Sequence, residues 1–161
     1  MEQSKHLALL RRCAQISKEA RAAGNTPFGA LLAGPDAEVL LEQGNIELTE
    51  SDCTGHAETA LMRAASKRYP KEYLTRCTLY TTAEPCAMCS GAIYWGGVGR
   101  VVYGIEEARL LELTGSDERN PTLDLPCREV FARGQRGIEV LGPFEAAASE
   151  IVAVHQGYWK K

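Results

Sequence analysis

The sequence predicts an α/β fold in which a mixed five-stranded sheet is covered by helices, and three observations carry that expectation. Short, nearly continuous apolar runs alternate with longer segments whose apolar residues recur every three to four positions. No repeat, low-complexity run or linker interrupts the alternation. At 161 residues the chain can bury one full core and falls short of two ordinary domains, so residues 1–161 are read as a single domain. Helices and strands interleaved in this way pack as a sheet with helical layers on it.

Taken in order, residues 7–23 place Leu9, Cys13, Ile16 and Ala20 at helical spacing, and Gly24, Asn25, Thr26 and Pro27 stop that helix. Residues 28–33 are almost wholly apolar and read as a buried strand; Gly34, Pro35 and Asp36 turn the chain, and residues 39–44 return as the second arm of a hairpin. A polar loop over 47–55 precedes a helix over 56–68, with Ala57, Ala60, Leu61, Ala64 and Ala65 on one side and Asp52 or Thr54 as its cap. Residues 78–82 alternate as a strand. Ala83, Glu84 and Pro85 then form a turn whose proline suits the start of a helix over 86–94. A buried strand over 100–104, a helix over 106–113, a loop over 114–126, a last strand over 138–141 and a closing helix over 145–158 complete the chain.

Composition excludes several classes. Apolar residues at 45% and charged residues at 24% describe a folded globular chain rather than a disordered one or a coiled coil. Eighteen Lys and Arg against 21 Asp and Glu leave a formal charge of −3, without the basic stripe that holds polyanions nonspecifically. The pairs Arg11-Arg12, Lys67-Arg68 and Lys160-Lys161 read as solvated helix faces and a terminus, so nucleic acid is not the expected partner. No apolar stretch reaches bilayer length and the start Met1-Glu2-Gln3-Ser4-Lys5-His6 lacks a signal-peptide core; the expectation is a cytoplasmic protein without membrane contact. Of six cysteines only Cys86 and Cys89 are closely spaced, the rest being scattered as in a reduced cytosolic enzyme.

Those two cysteines belong to the one constellation with chemistry in it. His56-Ala57-Glu58 is followed about 28 positions later by Glu84-Pro85-Cys86-Ala87-Met88-Cys89, the general His-x-Glu and Pro-Cys-x-x-Cys signature of zinc deaminases. Zinc takes imidazole and thiolate in a tetrahedron, and a catalytic site supplies three protein ligands so that the fourth position stays open. His56, Cys86 and Cys89 meet that count. Three residues apart at a helix start, the cysteines share a face, and the helix N-terminus favours thiolate. Small residues Ala57, Ala60 and Ala64 on one helix and Ala87, Gly91 and Ala92 on the other suit a close approach of the two helices. Zinc brings the pKa of bound water from about 15.7 to roughly 7, and Glu58, two residues from His56, is placed to move the protons. A structural zinc site would want a fourth ligand, but His6 and His155 lie near the termini and Cys53 and Cys77 lack a second paired spacing. A catalytic site is preferred to that reading and to a redox pair.

With these residues in view, the chain resembles the cytidine and nucleobase deaminase superfamily, in the branch of bacterial guanine deaminases, yeast-type cytosine deaminases and tRNA adenosine deaminases. The likeness runs from Pro27-Phe28-Gly29-Ala30 to Arg100-Val101-Val102-Tyr103-Gly104 and is strongest from Thr82 to Trp95. It implies a three-layer α/β/α sandwich, one Zn²⁺ per subunit and a homodimer with contacts beside the pockets. By the same resemblance Asn45 contacts the base, Phe28 lines the ring pocket, and the amides of Ala57 and Cys86 reach the ring; without it Asn45 would read as a turn residue and Phe28 as core. Gly91-Ala92-Ile93-Tyr94-Trp95 is similar to bacterial guanine deaminases, in which an aromatic pair follows the second Cys; the resemblance implies that Tyr94 and Trp95 help set the identity of the ring, with Trp95 as a substrate contact. Those enzymes also carry a Gly-Phe-Asp-Asp segment, where this chain reads Leu113-Thr114-Gly115-Ser116-Asp117-Glu118. Asp117 is either the substrate carboxylate or one more loop acid, and Tyr158-Trp159 either an aromatic tail at the pocket or a hydrophobic anchor.

The expected activity is hydrolytic deamination of a small free nucleobase, guanine or a guanine-like purine or azaheterocycle. Adenosine editing in tRNA, a cytosine-type pyrimidine reaction and a catalytically silent zinc-stabilised interaction module are the alternatives. Editing would need Lys and Arg around the pocket to hold an RNA stem-loop.

Overall fold

The computed structural model describes residues 2–160. Met1 and Lys161, part of the readings of the two ends, lie outside the described residues. Seven helices and five strands are described, in the order α1 (Glu2–Ala22), β1 (Gly29–Ala33), β2 (Val39–Gly44), α2 (Ala57–Arg68), α3 (Lys71–Leu74), β3 (Thr78–Ala83), α4 (Ala87–Gly96), β4 (Arg100–Ile105), α5 (Glu107–Thr114), α6 (Cys127–Ala132), β5 (Glu139–Leu141) and α7 (Glu145–His155). The strands form one sheet in the order β2-β1-β3-β4-β5. β1 runs antiparallel to β2 and β3, whereas β4 runs parallel to β3 and β5, which makes the sheet mixed, as expected.

Strand geometry sends alternate side chains to opposite faces, and the central strands β1, β3 and β4 are buried on both. Leu32, Leu79 and Val101 face one core with Leu61 and Ala65 of α2 and Ile93 of α4, while Leu31, Tyr80 and Val102 face a second core with Leu10 and Cys13 of α1 and Ile151 of α7. These two cores make the three layers. Among the described residues no helix is long and apolar enough to cross a membrane.

Several local expectations are corrected. Helix α1 begins five residues before the expected 7, because its inner face continues through polar side chains: His6 is buried and its Nδ1 lies 2.7 Å from the Tyr80 hydroxyl, and Ser17 Oγ donates to Ala14 O. Leu10, fully buried, carries the packing that periodicity assigned to the half-buried Leu9. Two short helices were missed: α3 and α6 each start after a proline and bury one and two residues, too few to show a period. Neither Asp52 nor Thr54 caps α2, whose N-cap is His56 without a side-chain bond; Asp52 Oδ1 instead accepts from Thr54 N and Oγ1. Gly91 does not serve the close approach expected of α2 and α4, since a Cβ there would meet nothing within 4 Å; on α4 it is Gly96 that leaves room for the end of the Met62 side chain of α2. The closing helix ends at His155 rather than 158, its last residues folding into a turn.

Candidate active site

One edge of the sheet gathers the cavity. Gly29 pairs with Gly44, Ala30 with Thr81 and Ala83 with Ile105, so the start of β1 and the ends of β2, β3 and β4 lie together. The residues just beyond these ends, Phe28, Asn45, Glu84 and Glu107, line a cavity of about 340 Å³, which His56, Glu58, Cys86 and the segment from Arg119 to Leu123 also line. Gly29 is required there, since a Cβ would lie 2.6 Å from Cys13 O and Ser17 N of α1; the bare backbone lets β1 start against that helix and puts Phe28 at the cavity.

His56 and Cys86 are the N-caps of α2 and α4, and Cys89 lies in the first turn of α4. Neither N-cap side chain bonds its own helix, so both are available to each other: Cys86 Sγ is 3.5 Å from His56 Nδ1. The ligand atoms of His56, Cys86 and Cys89 all lie within 4.8 Å of one another, and no fourth His, Cys, Asp or Glu among the described residues joins the group. Thr59 Oγ1 donates to Cys89 Sγ at 3.1 Å. Protons are shared unevenly. The hydrogen bond to Cys89 pushes the Cys86 thiol down and its counterpart pushes Cys89 up, while the bond to Cys86 holds the His56 imidazole up at about 9. Two sulfurs and an imidazole nitrogen with one direction open are the donor chemistry of a catalytic zinc.

Glu58 borders the same cavity and is buried; that burial, with the Cys86 charge, raises its carboxyl to about 7. Asn45 is also buried on the cavity wall. Its Oδ1 accepts from Glu47 N at 2.9 Å, which leaves Nδ2 as the donor it has to offer.

Three carboxylates that sequence reasoning did not assign also face this space. Glu47 lies 3.9 Å from His56 Nε2. Glu84, read only as part of a turn, ties the chain just after β3 to three elements: its N–H donates to Ile105 O at the end of β4, its Oε1 accepts from Glu107 N at the start of α5, and its Oε2 accepts from Cys127 N at the start of α6. Glu107 is buried with both carboxyl oxygens unpartnered; burial and then the Glu84 charge raise it to about 8. The Glu-Pro-Cys context of Glu84 was the one visible signal, whereas nothing local marked Glu107.

Of the other expected substrate contacts, Ala57 is fully buried at the start of α2 and is not a lining residue, nor is Trp95, which is 74% exposed at the end of α4. The Tyr94 hydroxyl accepts from Gln135 N. Asp117 does not line the cavity either. It grips Arg119 through two side-chain bonds, 3.1 and 2.8 Å, and accepts from Lys160 N at 2.7 Å, and the Arg119 hydrogen bonds hold its carboxyl far below the usual carboxylate range. Arg119 is the member of this group at the cavity; it also donates to Tyr158 O and stacks on the Tyr158 ring 4.3 Å from its centroid. Tyr158 thus anchors the segment that walls the cavity.

Trp159 donates to His155 Nδ1, and Phe28 packs edge-on against His155. Burial, with the Arg21 charge, lowers His155 to about 4. A neutral form preferred on folding contributes stability that is complete above pH 6.5 and is lost as pH falls toward 4, since the unfolded chain binds the proton first. His155 should therefore account for about 2 kcal/mol of stability lost between pH 7 and pH 5. Urea melts at the two pH values check this: a His155→Phe variant, which cannot titrate, should lose that part of the acid sensitivity.

A three-layer fold with a His/Cys/Cys cluster and a buried Glu at the mouth of two helices defines a zinc-dependent deaminase. The chain belongs to the family described as cytidine and deoxycytidylate deaminase zinc-binding region, which matches residues 3–105. It is accordingly a zinc-binding hydrolase acting on C–N bonds. It is 37% identical over 155 residues to a probable cytosine deaminase of Schizosaccharomyces pombe, an alignment covering 96% of this chain and 93% of that one. It is 38% identical over 127 residues to the guanine deaminase of Bacillus subtilis, covering 77% and 80%. Among solved structures, a guanine deaminase from Nitrosomonas europaea superposes with a TM-score of 0.75 at 24% identity, covering 94% of this chain and 83% of the other, a likeness of fold.

Proposed function

We propose that the chain is a single deaminase domain that converts an amino-substituted free nucleobase, guanine or a guanine-like purine or azaheterocycle, to the oxo base and ammonia. The cavity carries this reading. Its volume, about 340 Å³, is at the scale of one small-ligand pocket, and its charged lining is dominated by Glu47, Glu58, Glu84 and Glu107. Among the described residues the one Arg or Lys on it, Arg119, is already paired with Asp117. That wall favours a neutral ring bearing N–H donors over an RNA phosphate chain, which needs free cations.

In this reading His56, Cys86 and Cys89 hold the zinc. When bound, the metal supplies a Lewis acid that lowers the pKa of water from about 15.7 to about 7. Phe28 packs on the ring face and Asn45 Nδ2 donates to a ring acceptor. Glu58 takes a proton from the attacking water, passes it to the ring nitrogen beside the attacked carbon, and delivers a proton to the departing amine. The C–O bond forms, the C–N bond breaks, and the nitrogen leaves as ammonia. Burial of Glu58 keeps bulk water from competing for these protons.

A cytosine-type pyrimidine is the second reading, favoured by the cytosine deaminase relative that aligns over nearly the whole chain. We further place the enzyme in the cytoplasm as a homodimer, in which a second copy would cover Trp95. The test is ammonia release from a panel of guanine, other aminopurines, cytosine and their nucleosides, run beside inosine formation in total tRNA. Guanine or a close analogue should give the highest kcat/KM. Preference for cytosine would move the assignment to the pyrimidine, and activity confined to tRNA would overturn it.

A further inference from the structure

Two buried carboxyls stand side by side at the cavity and differ in one respect. Glu84 has both oxygens filled by backbone amides, from Glu107 and Cys127. Glu107, 7% exposed, has neither oxygen filled. A buried carboxyl without a partner is costly in either protonation state, and native structures rarely leave one. Among the described residues no protein group bonds either oxygen: Arg119 spends its Nε and Nη2 on Asp117 and Tyr158 O, Asn120 Nδ2 donates to Thr122 Oγ1, Thr122 Oγ1 to Asn120 O, and Leu110, Pro121 and Leu123 of the same cavity have no side-chain polar atom. A partner can therefore come from the cavity.

The reacting carbon must lie against Glu58 and the His56, Cys86 and Cys89 cluster, which stand on α2 and α4. Glu107 opens α5, beyond the end of β4, and so stands on a different part of the cavity wall. The free purine or pyrimidine base carries a ring N–H that its nucleoside lacks, because the sugar is attached at that nitrogen.

We propose that Glu107 is a specificity-determining residue whose carboxyl accepts the hydrogen bond of that glycosylatable ring N–H, so that the site selects the free base over its N-substituted form. The inference rests on the reading of the cavity as a base-deaminating site. A site built around such a bond rejects the analogue without the N–H, since the carboxyl is then buried unpaired.

The test compares guanine with 9-methylguanine, and cytosine with 1-methylcytosine, in the zinc-loaded wild type, Glu107→Ala and Glu107→Gln. The wild type should prefer the unmethylated base by about 10²-fold or more in kcat/KM. Glu107→Ala should lose about 10²-fold on the free base and little on the methylated one, collapsing the preference, while Glu107→Gln, which keeps one acceptor and the shape, should fall between. Zinc content should be unchanged and Tm equal or higher, because the substitution removes an unpaired buried group. Equal losses on both bases, or a lowered Tm with the preference intact, would make Glu107 structural and overturn the proposal; should Glu107→Ala fail to fold, an unchanged preference in Glu107→Gln would do so. A wild type active on neither free base would overturn the functional reading as well, and wild-type rates alone would reveal that outcome.

Discussion

Glu58→Gln should lower turnover by about 10² to 10⁴ while leaving the zinc content of the protein intact. Glu58 is buried on the cavity wall, two residues from His56, and Gln fills the same volume. An amide can neither take a proton from water nor return one to the leaving nitrogen, so the loss falls on kcat. Replacing His56 by Ala should do the reverse, lowering zinc occupancy first and activity as a consequence, because its ring shares a 4.8 Å cluster with both sulfurs. Steady-state ammonia release and metal analysis on the same preparations separate the two outcomes. Full activity in Glu58→Gln on an identified substrate would refute the mechanism.

The second large effect belongs to a residue with no part in the chemistry. Glu84→Ala should destabilise the fold by about 3 kcal/mol, since it strands two buried backbone N–H groups that share one carboxylate. Urea denaturation measures it. Glu84→Gln, which keeps one acceptor oxygen, should lose less. Because the amides belong to Glu107 and Cys127, the first residues of α5 and α6, loosening them moves the cavity wall, and kcat/KM should fall even where the protein remains folded. A Glu84→Ala protein as stable as wild type would show that the two helix starts find other acceptors.

Much of this was legible in the chain because it is written locally. His56, Glu58, Cys86 and Cys89 occupy fixed spacings at two helix starts, and the apolar runs of β1 and β4 are nearly continuous because both faces of the sheet are covered. What was missed is made by distant pairs. Helix α6 hides behind Pro126 with two buried residues, and its start is held by a carboxylate 43 positions earlier. Asp117 invited a substrate-contact reading from its position, yet its partners are Arg119 and the amide of Lys160, 43 residues on.

The sequence by itself picked out the candidate metal donors, the carboxylate proposed to move protons and the succession of the five strands and five longer helices, since each depends on residue type at short spacing or on a local hydrophobic period. The tertiary structure alone decided which groups face the cavity. Glu107 and Arg119 differ little from other loop and helix-surface charges in the sequence; only when β4, α5 and the C-terminal turn close on one edge of the sheet does Arg119 find its acceptors at the cavity and Glu107 remain without a donor. Burial and partner count are properties of the packed molecule, and no local sequence pattern reports them.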